Sequence, residues 1–406
     1  MLIETHGCSV VLRRVDGTEA RELFLLCEPL DTDDSDGGGQ AEAAYRAILA
    51  VLDAEAASVA SIVRETLFLR SLKADLESVR GARRRILAPR GEPCAVPVVA
   101  EIEQPPLNER ARLQVSVQAL LPLPKGRELR RDTIAARPAC SCGECARARG
   151  LRIRVGEQIQ LHAGGLYGAG ENAYEQALAM FTAAERLLQR AGMEFHDVVR
   201  TWIHLRDIDR DYVALNRARR EFFAARRIDP APASTGIGAG LVPEAHDLCL
   251  GFYAIRSEEG AGSVQRSTMS APTLNEATCY GSDFARGMRV VEAHKIGLYV
   301  SGTASIDEAG RTAHPGDFDS QVDRMLVNVA ALLGCQGASV ADVVSAVTYL
   351  KRPADALRLR QKLRDAGFEG FPNALVAAPI CRSDLLCETE LIAALPQRAR
   401  RASMSA

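Results

Sequence analysis

Three times along the chain, apolar residues fall at i, i+3, i+4 and i+7 and then switch to alternation. These stretches are AYRAILAVLDAEAASVASIVRETLFLRSL (44–72), ALAMFTAAERLLQRAGMEFHDVVRTWIHLRDI (177–208) and QVDRMLVNVAALLGCQGASVADVVSAVTYLKR (321–352). The switch predicts a helix followed by a strand that starts near Ile62, Val198 and Val343. Each strand runs through a polar turn into a second helical stretch, at 71–87, 210–226 and 353–368, then a Pro-containing loop. A closing strand follows: ARLQVSVQALLP, HDLCLGFYAIR and DLLCETELIAAL. Ahead of the first helix, copies two and three carry a hairpin with a Gly-containing bend, IQLHAGGLYGAGEN and GLYVSGTASIDEAGRTAHPGD. In copy one, ELFLLCEPLDTDDSDGGG ends in what reads as a flexible acidic loop.

The repeat predicts an α+β fold of three tandem β-β-α-β-α-β units, each with two helices against one sheet face. The units are placed at 1–130 (degenerate), 151–258 and 271–397, with a Cys-rich linker at 131–150 and a disordered tail at 398–406. Length agrees: 406 residues, 47% of them hydrophobic, exceed one small core.

Charge narrows the partners. Lys+Arg 50 against Asp+Glu 52 gives a net charge of -2, without the basic excess that phosphate-backbone binding needs. No apolar run reaches ~18 residues, and Glu4, Arg13 and Arg14 interrupt any leader-like stretch at the start. The expectation is a cytoplasmic protein that binds neither nucleic acid nor membrane, acts on a small-molecule carboxylate, and is a monomeric pseudotrimer or a small homo-oligomer.

The 11 cysteines read mostly as reduced core residues. CSCGEC, with Cys140, Cys142 and Cys145, has the C-x-C-x2-C density of thiolate metal ligation. A structural zinc clamping the linker is expected, with His162 or a distant thiol such as Cys94 as fourth ligand. Free thiols and a catalytic metal are the alternatives.

Acids on the closing strands are confined to the third, where Glu388 and Glu390 stand in positions compared with Val115 and Val117 in the first and Leu250 and Phe252 in the second. Residues i and i+2 share a strand face, so the two acids lie on one side and Cys387 and Thr389 on the other. Repulsion and burial would raise one carboxyl pKa, which suits a proton donor at neutral pH. A solvated strand face is the competing reading.

The unit order, the VSGTASID segment followed by GRTAHPGD, and an L-x-E-x-E closing strand resemble the Rid (YjgF-like) family, whose members are small homotrimers with ligand clefts between subunits. Three copies in one chain imply a covalent pseudotrimer. The second and third units are similar to the chorismatases in RTW (200–202), Tyr212 with Arg219, STGIG (234–238), FARG (284–287), SGTASI (301–306), RTAHPGD (311–317) and CRSDLLCE (381–388). That resemblance implies Glu388 as the catalytic carboxylate, splitting chorismate or a related cyclic carboxylate into a hydroxybenzoate-type product and pyruvate, with no organic cofactor. It also implies pocket positions at Gly302 and Cys381, a pair resembling the subtype that releases 3-hydroxybenzoate.

Arg219, Arg286 and Arg382 are the candidate carboxylate anchors, because planar guanidinium pairs suit a dianion; Tyr280, Ser301, Thr303 and His314 are further binding candidates. Backbone N–H groups of the Gly302 bend are candidate oxyanion donors. Where the chorismatases carry Tyr-Gly-Pro-Arg this chain has CYGSDFARG, and if a single arginine faced the cleft the substrate would carry one carboxylate. The alternatives are an imine or enamine hydrolase or tautomerase, a non-catalytic ligand-binding scaffold, and a metal enzyme centred on CSCGEC. The arginine that imine hydrolases of the family place after the pre-strand proline is replaced by Asn373-Ala374 and Ala233-Ser234.

Overall fold

The computed structural model describes residues 1–17, 19–30, 36–90, 97–123, 129–135, 149–258, 264–276, 283–292 and 295–396. Three units of the same plan follow one another. The first comprises β1 (Leu2–Thr5), β2 (Cys8–Asp16), β3 (Ala20–Pro29), α1 (Gly37–Ala54), β4 (Ile62–Leu69), α2 (Leu72–Leu87), β5 (Val98–Glu103) and β6 (Leu113–Pro122). The second comprises β7 (Arg130–Ala135), β8 (Arg149–Val155), β9 (Gln158–Leu166), α3 (Ala173–Arg190), β10 (Val198–Leu205), α4 (Ile208–Arg226), β11 (Ala233–Gly238) and β12 (Leu248–Ser257). The third comprises β13 (Gln265–Thr268), β14 (Gly287–Val291), β15 (Ile296–Ala304), α5 (Phe318–Gly334), β16 (Val343–Leu350), α6 (Ala356–Asp365), β17 (Asn373–Ala377) and β18 (Cys387–Leu395).

Each unit forms a six-stranded sheet of one order, β1-β2-β3-β6-β4-β5 and its equivalents. In each, the fifth strand in chain order (β5, β11, β17) pairs in parallel with the strand before the second helix, and the other pairs are antiparallel. The fold is therefore α+β in three tandem units, with two strands per unit beyond the expected pattern. β5, β11 and β17 follow prolines and read as loop; β1, β7 and β13 are polar edge strands with weak alternation. β7 and β13 also move the borders: residues 130–135 belong to the second sheet rather than to a linker, and 265–268 to the third.

Helix starts follow side-chain chemistry. Asp36, Ser71, Asn172, Asp207 and Asp317 each accept a backbone N–H three residues on. Asp36 makes the Gly-rich stretch of copy one a helix start, not a flexible loop: Gly37 and Gly38 are buried, and a Cβ at Gly37 would press into Asp75. No helix among the described residues is long and apolar enough to cross a membrane.

The three sheets close into a ring around a pseudo-threefold axis. β5 packs on β9, β11 on β15, and β16 on β2 and β3. Hydrogen bonds stitch the seams: Gln104 Nε2 to the Gly238 carbonyl at 2.8 Å, Gly238 N to the Pro379 carbonyl at 2.9 Å, and Leu107 N to the Leu375 carbonyl at 3.0 Å. Helices cover the outer sheet faces, so alternate strand residues face either a helix layer or the axis. On the axial side, equivalent positions hold Arg64, Arg200 and Ser345 on the central strands and Ser116, Gly251 and Glu390 on the closing strands.

A second polar layer fills the axis. Lys295, which is 1% exposed, lies against Glu22 of the first unit and 3.8 Å from Glu292; Tyr253 of the second unit donates to Glu292 at 3.2 Å, and Tyr299 also bonds to it.

Candidate active site

A cleft of about 500 Å³ opens at the seam between the second and third units. The second unit contributes α4 (Tyr212, Asn216, Arg217, Arg219, Arg220) and β11 (Ser234, Gly236); the third contributes Phe284, Arg286, Gly302, Ala304, Ile306, Cys381, Arg382, Leu385 and Glu388. Strand periodicity explains the selection on β15, since Gly302 and Ala304 face the cleft while Ser301 and Thr303 do not.

Glu388 stands near the start of β18, opposite Tyr349 on one neighbouring strand and Ala304 on the other. It is 4% exposed. Burial pushes its pKa up to about 8, with repulsion from Glu390 second; Arg200, Arg286 and Arg382 oppose the rise. The carboxyl is therefore protonated at neutral pH. Glu390 is fully engaged, accepting from Arg200 Nη2 at 2.7 Å and Trp202 Nε1 at 2.8 Å. Cys387 on the opposite face joins the hydrophobic core, and the Thr389 hydroxyl bonds to Thr348.

Gly302 departs from expectation. It lies within β15, beside a register shift between Val300 and Thr303, and its φ is not positive. The constraint is spatial, because a Cβ there would overlap a Glu388 carboxylate oxygen. Its N–H donates to Thr235 Oγ1 at 2.9 Å and so is not an oxyanion donor.

Three arginines line the same cleft. Arg219 is 3% exposed and donates to Asn216 Oδ1 at 2.6 Å; Arg286 donates from Nε to the Asn275 carbonyl at 2.8 Å; Arg382 donates to the Gly310 carbonyl at 2.8 Å. The guanidinium carbons of Arg219 and Arg286 lie 5.5 and 5.6 Å from the centre of the Phe284 ring. The Cys381 thiol is pushed up to about 12, first by burial and then by Glu388, so it is a neutral packing group.

Other candidates fall elsewhere. The Ser301 hydroxyl accepts from Ser234 N at 2.8 Å and donates to the Ala285 carbonyl at 2.6 Å, tying the two units together rather than facing the cleft. Thr303 donates to the Ser301 carbonyl at 2.9 Å. His314 is exposed in a left-handed conformation (φ 56) before α5, outside the cleft. His162 is a buried axial residue with its ring 4.9 Å from Tyr253, and burial lowers its pKa to about 3; it serves as a neutral core side chain. Tyr280, Cys94, Cys140, Cys142, Cys145 and the tail lie outside the described residues, among which no metal-capable cluster forms.

Asn216, Arg217 and Arg220 went unnoticed in the sequence, although Tyr212, Asn216, Arg219 and Arg220 follow the i, i+4, i+7, i+8 spacing of one helix face. The closing strands pair one residue away from the hydropathy alignment. By register, the counterparts of Glu388 are Gln114 and Cys249, and those of Glu390 are Ser116 and Gly251; Val115, Val117, Leu250 and Phe252 face the helices. At the seam of units one and two, Cys249 lines a space of only about 50 Å³, and α2 spends Arg80 and Arg83 on Glu101 and Glu65.

A family model described as endoribonuclease L-PSP matches residues 152–254, the second unit. A RutC family protein of Pyrococcus abyssi is 34% identical over 106 residues, covering 25% of this chain and 83% of that protein. A 3-hydroxybenzoate synthase of Streptomyces hygroscopicus is 28% identical over 241 residues, covering 53% of this chain and 68% of that protein. Among solved structures, a crystal structure of chorismatase superposes with a TM-score of 0.58 at 19% identity, covering 82% of this chain and 93% of that one, and shares the three-unit fold. With its second unit matched by the family model and 34% identity to a RutC family protein over 83% of that protein's length, this chain belongs to the Rid (YjgF-like) superfamily.

Proposed function

We propose that this protein is a chorismatase-like enzyme acting on chorismate or a closely related cyclic dicarboxylate, releasing a hydroxybenzoate-type product and pyruvate. The observation that carries the reading is Glu388, a buried carboxyl protonated near neutral pH in a cleft that also holds Arg219, Arg286 and Arg382. The arginines suit two substrate carboxylates, and the carboxyl is poised to donate. Its proton goes to the enolpyruvyl methylene carbon, and the bond between ring and ether oxygen breaks with its electron pair staying on that oxygen, which leaves as pyruvate. Shift of the ring hydroxyl oxygen and loss of one ring proton complete the aromatic ring, and the proton lost restores Glu388. All atoms of chorismate then appear in hydroxybenzoate and pyruvate, and no water is consumed. The similarity to a 3-hydroxybenzoate synthase, with Gly302 and Cys381 beside Glu388, favours the 3-hydroxy product.

The test is incubation with chorismate, measuring pyruvate enzymatically and aromatic product by chromatography, for wild type and Glu388→Gln. Wild type should release both and the variant neither; equal pyruvate release by the two proteins would refute the assignment. The scheme needs no organic cofactor, and the zinc expected at Cys140, Cys142 and Cys145 is structural in this reading. Elemental analysis of purified protein should find one zinc per chain, and its absence removes that expectation.

A further inference from the structure

A separate cavity of about 60 Å³ lies on the pseudo-threefold axis, where the central strands of the three units meet. Its wall includes Arg64 and Thr66 of β4, Ser116 of β6, Arg200 of β10, Ser345 of β16 and Glu390 of β18. Two guanidiniums thus face one carboxylate. Both Glu390 oxygens are taken, by Arg200 Nη2 at 2.7 Å and by Trp202 Nε1 at 2.8 Å. Arg200 is 1% exposed, and its other terminal nitrogen, Nη1, is buried with no hydrogen-bond partner among the described residues. The Arg64 guanidinium carbon stacks 3.4 Å from the centre of the Trp202 ring. His204 lines the same space, and burial lowers its pKa to about 4, so it adds no charge. Glu388, the next acid along the strand, is mostly protonated at neutral pH. Among the residues lining the cavity, two guanidiniums therefore meet one ionised carboxylate, and the orphaned buried nitrogen of Arg200 points to a missing acceptor.

We propose that the axial cavity binds one small monovalent inorganic anion of the halide class, held by Arg200 Nη1 and the Arg64 guanidinium, with lining hydroxyls of Thr66, Ser116 and Ser345 nearby. The volume admits about four water-sized spheres, which fits such an ion and excludes a ring-bearing carboxylate. The cavity shares no lining residue with the cleft, and its charge count rests on the protonated Glu388 of that reading.

Crystals of the full-length protein soaked in bromide should show an anomalous peak within hydrogen-bond reach of Arg200 Nη1. Thermal unfolding in chloride or bromide, against gluconate at equal ionic strength, should show a saturable rise in Tm of about 2 °C. Arg64→Gln cancels the surplus charge while leaving the Arg200–Glu390 pair, and should abolish that rise. Density for water alone, a wild-type Tm indifferent to anion identity, or an Arg64→Gln variant that keeps the saturable rise overturns the proposal. If Arg64→Gln does not fold, the wild-type bromide soak decides by itself.

Discussion

Replacing Glu388 by glutamine should change how stability depends on pH as well as activity. The folded protein moves this carboxyl from its ordinary 4.5 to about 8. At about 1.4 kcal/mol per tenfold change, that disfavours the carboxylate by roughly 5 kcal/mol, an upper figure for a group that water can reach on ionisation. Between pH 4.5 and about 8 the native state holds a proton that the unfolded chain has released. Stability therefore falls as pH rises through this window and levels off above it. Glutamine keeps the shape and removes the titration. Denaturant unfolding at a series of pH values should show the wild-type midpoint falling between pH 5 and 9, with the Glu388→Gln curve flatter and its stability higher at the alkaline end by several kcal/mol. Wild-type kcat/KM should fall as pH rises through about 8, because the donor form is lost. Parallel stability curves for the two proteins, or activity that falls with a midpoint near the ordinary carboxylate value, would show that this carboxyl is not the buried donor.

Gly302→Ala places a methyl group on the Glu388 carboxylate, and displacing that group costs about 1–3 kcal/mol, so kcat should drop about 10- to 100-fold with the fold retained by circular dichroism. Arg219→Met removes one charge-assisted anchor worth about 1.5–3 kcal/mol and should lower kcat/KM about 10- to 150-fold, mainly through KM; an unchanged KM argues against substrate contact. Lys295→Met leaves Glu22 and Glu292 facing each other in the core without their cation and should cost about 3–5 kcal/mol in urea unfolding, with no direct effect on the cleft.

Much of the architecture was legible because burial imposes periods. The switch from helical to alternating spacing located β4, β10 and β16 at Ile62, Val198 and Val343, their observed first residues. What escaped had no such period. β5, β11 and β17 are short strands after prolines, and the edge strands β1, β7 and β13 bury little. The one-residue slip on the closing strands has a related cause: both faces are covered, so Val115 and Gln114 are equally buried and hydropathy does not say which looks toward the axis. Bulges misled as well, because glycines at 164, 165 and 302 read as bends although all three sit inside strands. At the cleft, Glu388 and the three arginines could be named singly, but their convergence depends on two units meeting across a seam, which no local pattern encodes.

Joining the units in one polypeptide changes what chemistry the axis can hold. In a ring of identical chains, every side chain there comes in triplicate: a glutamate at the Glu390 position would confront two copies of itself, and an arginine at the Arg200 position likewise. Here those places read Ser116, Gly251 and Glu390, and Arg64, Arg200 and Ser345. Fusion lets opposite signs sit side by side where strict symmetry would impose mutual repulsion, and it frees one seam to specialise while another fills itself in.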